Sequence, residues 1–146
     1  METNAGKVYN EYYEQGLEFQ DFVYRKLWSM GMSFLTFASY KEQKVNGDGL
    51  CVEIKYDRKL ADIGNVFIET SYLYNGNVWK PSGIYTGAPV FYVIGDYTTF
   101  YVLSVRQLKK YCDVQSTIIT NNGSAKGVLL NQNTIDRLAI LIVKCN

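Results

Sequence analysis

The residues best placed to do chemistry are four charged side chains on two predicted strands: Glu53, Lys55, Asp57 and Glu69. Residues 50–57 alternate in the two-residue period of a strand, so the first three of these share one face and apolar residues take the other. Residues 65–72 form the second predicted strand. If the two strands are neighbours, their carboxylates meet. The alternative is a solvated strand face with cross-strand ion pairs.

These residue types suit the hydrolysis of a phosphodiester. A hard cation such as Mg²⁺ takes oxygen ligands, usually one or two carboxylates with waters and substrate phosphate. Asp57, Glu69 and Glu53 are the candidate ligands, and a metal-bound water would be the nucleophile. Lys55 would stabilise the charge that develops on the attacked phosphate. Because the chain contains no histidine, carboxylates, Lys, Tyr or metal-bound water must move the protons.

Length and composition limit the class of protein. The 146 residues suffice for one domain, and 47% hydrophobic with 20% charged residues is typical of a soluble globular protein. A formal net charge of +1 means that an acidic partner must be held by a local basic patch. Three cysteines without metal-binding spacing predict reduced thiols in a cytoplasm, and no apolar run is long enough to span a membrane.

The positions of apolar and turn residues predict one α+β domain, with a mixed central sheet and helices packed on it. The first helix covers 11–30 and ends at Gly31, and Ser104 is the N-cap of a helix at 105–111. The remaining predicted elements are a strand at 32–40, polar loops at 41–49 and 74–89, hairpins at 90–103 and 114–130, and a last helix from 133 whose buried end is the apolar run 138–143.

Several residues outside the two strands are candidate contacts for a phosphate backbone. Lys80 and Ser82 lie in a Lys-Pro-Ser-Gly stretch whose backbone can approach a phosphate closely. Arg58 and Lys59 follow the first strand, and Arg106 starts a basic helix face. The alternative for each is an ordinary turn or a solvated helix face. The aromatic residues that can stack on unpaired bases, or else pack in the core or loops, are Tyr72, Tyr74, Trp79 and Tyr85.

The stretch CVEIKYDRKLADIGNVFIETSY, followed by KPSGIYTG, resembles the PD-(D/E)XK, or restriction-endonuclease-like, nuclease superfamily. It looks like small nuclease-like proteins of phages and mobile elements. The resemblance covers roughly residues 47–94, and a weaker similarity extends to the first helix and to the stretch KGVLLN. It implies a central sheet surrounded by helices, with an acid on one strand and a Glu-x-Lys on the next. An additional acid on the preceding helix is also common in that family, and Glu18 is the candidate here.

The resemblance leaves two registers of the motif open. In the first, Asp57 is the first acid and Glu69 follows twelve positions later, a normal separation for the family. The expected lysine is then replaced by Ser71, and Lys55 or Lys80 would supply the cation from elsewhere.

In the second register the motif is the pair Glu53 and Lys55, and Asp48 is the first acid. This register matches the residue types of the motif better, but the separation of Asp48 and Glu53 in the sequence is short for the family. We favour Asp57 and Glu69 as metal ligands, with the Glu-x-Lys pair of the second register in the same site.

The resemblance implies a single nuclease-like domain over 1–146 that acts as a Mg²⁺-dependent, or Mn²⁺-dependent, DNA endonuclease. Its implied partner is DNA, not a membrane, and a homodimer would suit the cutting of two strands. The implied location is the cytoplasm of a bacterial host, with the protein encoded by a phage or mobile element. Because Ser71 stands where lysine is expected, the alternative is a catalytically inactive nucleic-acid-binding or assembly protein on the same fold.

Overall fold

The computed structural model describes residues 4–32, 52–87 and 89–146. The predicted strand at 32–40 and the loop at 41–49 lie almost wholly outside these ranges. The elements are, in chain order, α1 (Asn4–Ser29), β1 (Val52–Tyr56), α2 (Leu60–Ile63), β2 (Asn65–Tyr74), β3 (Val78–Pro81), a 3-10 turn (Gly83–Tyr85), β4 (Phe91–Gly95), β5 (Thr99–Ser104), α3 (Val105–Cys112), β6 (Ile118–Ile119), β7 (Ala125–Asn131), α4 (Gln132–Leu138) and β8 (Ala139–Lys144).

The described strands form two four-stranded sheets. The first sheet has the order β1-β4-β5-β8 and is mixed, because β1 runs parallel to β4 and the other pairs are antiparallel. The second sheet has the order β3-β2-β7-β6 and is antiparallel. An α+β fold with a mixed sheet and flanking helices is therefore confirmed.

The expectation that the two acidic strands are neighbours in one sheet is wrong. β1 pairs with β4, whereas β2 pairs with β3 and β7. The segment between them contains the short helix α2. Gly64, in the left-handed conformation at φ +63°, ends that helix. The chain is thereby redirected from the first sheet into the second.

Two apolar clusters hold the layers together. The first lies between α1 and one face of the first sheet, where Phe19, Val23 and Leu27 pack on strand residues such as Val93. The second joins the opposite face of the first sheet to the second sheet, with Ile68 as one of its fully buried members. Full burial of one such side chain contributes about 1.5–3 kcal/mol, so both faces of the first sheet contribute to stability.

The end of α1 is as predicted, although the helix begins earlier than residue 11. Gly31 has φ +83°, a conformation that glycine adopts without a steric cost. Its N–H donates to the carbonyl of Trp28, and the N–H of Met32 donates to the carbonyl of Leu27 at 2.9 Å. These bonds satisfy carbonyl groups in the last turn of the helix. None of the described helices is both long and apolar enough to cross a membrane.

The stretch 74–89, expected to be an irregular loop, contains β3 and the 3-10 turn. Asn75 at φ +49° and Gly76 at φ +73° reverse the chain so that β3 pairs back onto β2. Asn-Gly is a strong signal for such a reversal. The predicted hairpin β4–β5, the hairpin β6–β7 and the Ser104 cap of α3 are confirmed.

The run 138–143 was predicted as the buried end of a helix, and this is wrong. α4 ends at Leu138, and the chain continues directly into β8, which pairs antiparallel with β5. β-Branched residues at Ile140, Ile142 and Val143 favour a strand. Their exposure alternates as expected for an edge strand, with Val143 buried and the two isoleucines exposed.

Candidate functional site

A cleft of about 900 Å³ lies where α1, the end of β1, the middle of β2 and the 3-10 turn meet. We call it the charged cleft. The sequence-predicted site residues that line it are Glu53, Lys55, Asp57, Arg58, Lys59, Glu69 and Ser82. The two acidic strands thus reach one site from two different sheets, although they are not paired with each other.

Glu53 and Lys55 stand on the same face of β1, as the strand period predicts. They lie beside Tyr92 and Ile94 of β4, and this face is the one that joins the second sheet through the shared apolar cluster. Lys55 Nζ is 2.7 Å from Glu53 Oε1, with side chains that are 47% and 14% exposed. The predicted phosphate-binding cation is therefore paired with one of the predicted metal ligands.

Asp57 follows the last residue of β1 and fixes the chain at the rim of the cleft. Its N–H donates to the carbonyl of Gly95 at 2.8 Å, which extends the pairing with β4 by one residue. Its carboxylate accepts the N–H of Lys59 at 2.9 Å. This bond between a carboxylate and the backbone two residues later stabilises the turn into α2. Asp57 therefore has a structural contact in addition to its place in the cleft.

Arg58 connects the rim of the cleft to α1. Its Nη1 donates to Gln15 Oε1 at 3.0 Å, and its guanidinium carbon lies 4.4 Å from the ring centroid of Tyr12. These two contacts restrict a long side chain that would otherwise be mobile on the surface. The cation is thus oriented toward the wall formed by α1.

Glu69 lies at an irregularity in β2. The register with β7 shifts between Glu69 and Ser71, as in a β-bulge, and such bulges re-aim side chains. The Ser82 hydroxyl donates to the Glu69 carboxylate, and the Ser82 N–H donates to the carbonyl of Thr70 at 3.0 Å. Gly83 has φ +56°, and a Cβ there would lie 2.3 Å from the carbonyl oxygen of Glu69. Only glycine allows this close approach.

Two carboxylates of the cleft, Asp57 and Glu69, are the residues that could hold a cation. Among the described residues, no group of three Cys, Asp or Glu side chains is arranged to hold a metal ion. Within the described part of the chain, Asp57 and Glu69 each accept one hydrogen bond and keep further lone pairs, because a carboxylate has about four acceptor sites. Two carboxylates suffice for Mg²⁺ when water and phosphate complete the shell. Glu53 is already paired with Lys55.

Three predicted residues do not line the cleft: Lys80, Arg106 and Glu18. Lys80 lies on β3 with its Nζ 3.5 Å from the ring centroid of Tyr74, and Arg106 is exposed on α3. Glu18 is exposed on α1 and lies off the stripe of that helix that faces the cleft. It is instead close to Tyr97, where burial and then the Glu18 charge raise the pKa of the tyrosine.

The contribution of α1 to the cleft was not predicted. Tyr12, Gln15 and Gly16 line it, and the first two hold Arg58. A signal was present in the sequence, since two tyrosines, a glutamine and a glycine interrupt the acidic residues of this helix. Gly16 has no heavy atom within 4 Å of where its Cβ would be, so this part of the wall is open.

No family model, curated protein or solved structure that was compared with this chain matches it.

Proposed function

We propose that the protein is a metal-dependent DNA endonuclease that hydrolyses phosphodiester bonds in the charged cleft. The observation that carries this proposal is that two carboxylates, Asp57 and Glu69, reach one cleft from separate sheets. Three cations, Lys55, Arg58 and Lys59, line the same cleft. Carboxylates and cations together are what a phosphate–metal site requires.

Asp57 and Glu69 would hold Mg²⁺ or Mn²⁺. The bound ion would supply a water of lowered pKa and neutralise charge on the phosphate. The residues of the chain provide the positioning. Arg58, oriented by Gln15, binds the DNA backbone together with Lys59. The hydrogen bond from Ser82 orients the Glu69 carboxylate, and Gly83 lets that turn approach β2.

The partner in this proposal is DNA, and two copies of the chain would act together to cut two strands. The site of action would be the cytoplasm of a bacterial host, with the gene carried by a phage or mobile element. Lys80 and Arg106, which lie outside the cleft, are assigned no catalytic role in this proposal.

A second candidate function is a catalytically inactive nucleic-acid-binding or assembly protein. The ion pair between Lys55 and Glu53 favours it, because the pair engages one of the two lysines that could replace the missing lysine of the motif. Ser71, at the motif position expected for lysine, does not line the cleft and lies beside Pro81 of β3. In this candidate the cleft binds DNA but does not cut it.

Nicking of a supercoiled plasmid in Mg²⁺ or Mn²⁺ tests the proposal. Asp57→Asn and Glu69→Gln keep shape and an acceptor oxygen but remove the charge, and each should reduce the cleavage rate by about a hundredfold or more. Glu18→Gln is the matched control, since this exposed acid lies outside the cleft, and it should cleave like the wild type.

Cleavage by Asp57→Asn or Glu69→Gln at the wild-type rate would contradict the proposal. Duplex binding by a wild-type protein that does not cut in either metal would instead favour the second candidate.

A further inference from the structure

Beyond the cleft, β2 and β3 continue as a hairpin, residues 70–81, that we call the β2–β3 arm. Tyr72 and Tyr74 lie on the same side of it, with ring centroids 6.4 Å apart and an interplanar angle of 85°. They are 38% and 42% exposed. Large aromatic rings that are exposed side by side on one face of a strand offer their ring faces for stacking. Aromatic residues that only fill a core are not exposed in this way.

Two lysines lie against aromatic rings of the arm. Lys80 Nζ is 3.5 Å from the centroid of Tyr74, and Lys126 Nζ is 4.2 Å from the ring of Trp79. In the pairing of β2 with β3, Tyr72 is opposite Lys80 and Leu73 is opposite Trp79. The contact of Lys80 with Tyr74 and the contact of Lys126 with Trp79 therefore lie on opposite sides of the arm. Each ammonium group is held beside an aromatic surface by the attraction of a cation to a ring face.

The arm and its neighbouring hairpin carry no negative side chain. No Asp or Glu occurs in 70–95 or in 114–135, and the positive residues in these ranges are Lys80 and Lys126. The arm and this hairpin thus add two positive charges and no negative charge to a chain whose net charge is only +1, which favours contact with a polyanion.

The tips of two hairpins lie side by side at the far end of the arm. The N–H of Leu73 donates to the carbonyl of Ser124 at 2.8 Å, which brings the β6–β7 turn against β2. Exposed amides occur in both turns, at Asn75, Asn77 and Asn121. Amide side chains can donate to and accept from the edges of bases.

We propose that the β2–β3 arm binds unpaired bases of single-stranded DNA, with Tyr72 and Tyr74 as the stacking residues and Lys80, on the same side of the arm, as a phosphate contact. Exposed aromatic rings interleaved with cations are the recurrent solution for binding a single strand without sequence preference. The absence of acids in these strands and the amides at the tips fit a nucleic acid better than a protein surface.

The inference rests on the proposed function and narrows its substrate class. The arm begins at the cleft, because Glu69 and Ser82 line the cleft at the base of its two strands. Tyr74 is five residues beyond Glu69, about 16 Å along an extended strand. A single strand bound on the arm leads toward the cleft, so DNA in which a single strand adjoins a duplex, such as branched or flapped DNA, should be a better substrate than a uniform duplex.

Fluorescence anisotropy without divalent metal tests this inference, with a labelled oligothymidylate and a duplex of equal length as probes. Replacing both tyrosines (Tyr72→Leu with Tyr74→Leu) removes the aromatic faces and keeps apolar bulk. We expect single-strand affinity to fall by roughly tenfold or more, since stacking contributes about five- to hundredfold per base. Lys80→Gln should also weaken single-strand binding and reduce its dependence on salt.

The matched control is the double change Tyr72→Phe with Tyr74→Phe, which keeps both rings and should bind the oligothymidylate like the wild type. Circular dichroism verifies that each variant is folded. Unchanged single-strand affinity in the leucine variant would overturn the inference. So would loss of affinity in the phenylalanine variant, because the hydroxyls and not the rings would then be responsible.

Plasmid nicking distinguishes a failure of this inference from a failure of the function proposed for the cleft. The leucine variant should lose oligothymidylate binding and still nick a closed duplex plasmid, whereas Asp57→Asn should bind oligothymidylate normally and fail to nick. Sedimentation of the leucine variant at a lower mass than the wild type, with DNA affinity unchanged, would assign the arm to contact with a second copy of the chain and overturn the inference.

Discussion

Lys55 Nζ and Glu53 Oε1 are 2.7 Å apart on one face of β1, inside the charged cleft. Because the lysine side chain is about half exposed, this pair contributes little to stability, typically 0–1 kcal/mol. The pair instead lowers the positive charge that the cleft presents to a phosphate, because the Glu53 carboxylate neutralises the Lys55 ammonium group.

Glu53→Gln should therefore increase the affinity of the protein for duplex DNA in the absence of metal. Without the opposing Glu53 charge, Lys55 would neutralise one more phosphate, and the slope of log K against log salt should steepen by about 1. Lys55→Met should reverse this gain when combined with Glu53→Gln. Equal affinity and slope in wild type and Glu53→Gln would show that Lys55 does not contact DNA.

Gly83→Ala should destabilise the protein and damage the cleft. The residue has φ +56°, and its new Cβ would lie 2.3 Å from the backbone carbonyl of Glu69, which cannot move without shifting β2. We expect a loss of about 2 kcal/mol or more in the free energy of unfolding, measured in urea, together with reduced nicking.

Gly16→Ala is the control for that measurement. This glycine lies within α1 and nothing lies within 4 Å of its Cβ position, so alanine should stabilise the helix by about 0.5–1 kcal/mol. If both substitutions changed stability in the same direction, the close contact at Gly83 would not be the cause.

Asp96 should make the β4–β5 turn sensitive to acid. Its Oδ1 accepts hydrogen bonds from Thr98 Oγ1 and from the N–H groups of Thr98 and Thr99 at 2.6, 2.7 and 2.9 Å. Burial acts to raise the pKa of Asp96, but these hydrogen bonds outweigh it and the pKa is lowered from 3.8. A lowered pKa gives stability that is present above the unfolded value and lost as the pH falls through the folded value.

Asp96→Ala should lose about 1–3 kcal/mol at neutral pH, because three donors lose their acceptor. Asp96→Asn keeps an acceptor oxygen and should lose less. The difference between wild type and Asp96→Asn should shrink below about pH 4, measured by thermal unfolding across pH. A difference that stays constant down to pH 2 would contradict this role for the charge.

Cys112 should be nearly inert to thiol reagents while the protein is folded. It is 4% exposed, and burial, with the adjacent Asp113 charge, raises its pKa to about 11. Relative to a thiol of pKa 9.0, the thiolate population at pH 8 is about a hundredfold smaller. A variant with Cys51→Ser and Cys145→Ser should react with a disulfide reagent only as fast as it unfolds. Rapid reaction in native buffer would show that the cluster around α3 opens locally.

Local patterns in the sequence are enough to predict those elements that depend on nearby residues. The glycine end of α1, the Ser104 cap and the β4–β5 hairpin follow from residues adjacent in the chain. The strand face of Glu53 and Lys55 follows from the two-residue period. These features do not require knowledge of which elements meet.

Pairing between distant elements could not be predicted in this way. β1 pairs with β4, so that Val52 lies beside Phe91, which is 39 positions later in the chain. No local pattern in the sequence indicates that these two strands pair. The run 138–143 has apolar residues throughout, so its period is ambiguous between a buried helix and a strand. Its pairing with β5 determines the outcome.

The candidate site shows the same difference between features that depend on nearby residues and features that depend on long-range packing. Asp57 and Arg58, which follow β1 directly, both line the charged cleft. The role of Gln15 depends on how α1 packs across β1, and the position of Lys80 depends on the unpredicted strand β3. Neither could be deduced from residue types alone.

The chain crosses repeatedly between the two sheets. β1 belongs to the first sheet, β2 and β3 to the second, β4 and β5 to the first, β6 and β7 to the second, and β8 to the first. Neither sheet is therefore made from a continuous piece of sequence, and no single cut between strands places the two sheets in different fragments. Unfolding of the described strands should be cooperative, and a mutation that weakens either wall of the cleft should lower the stability of both.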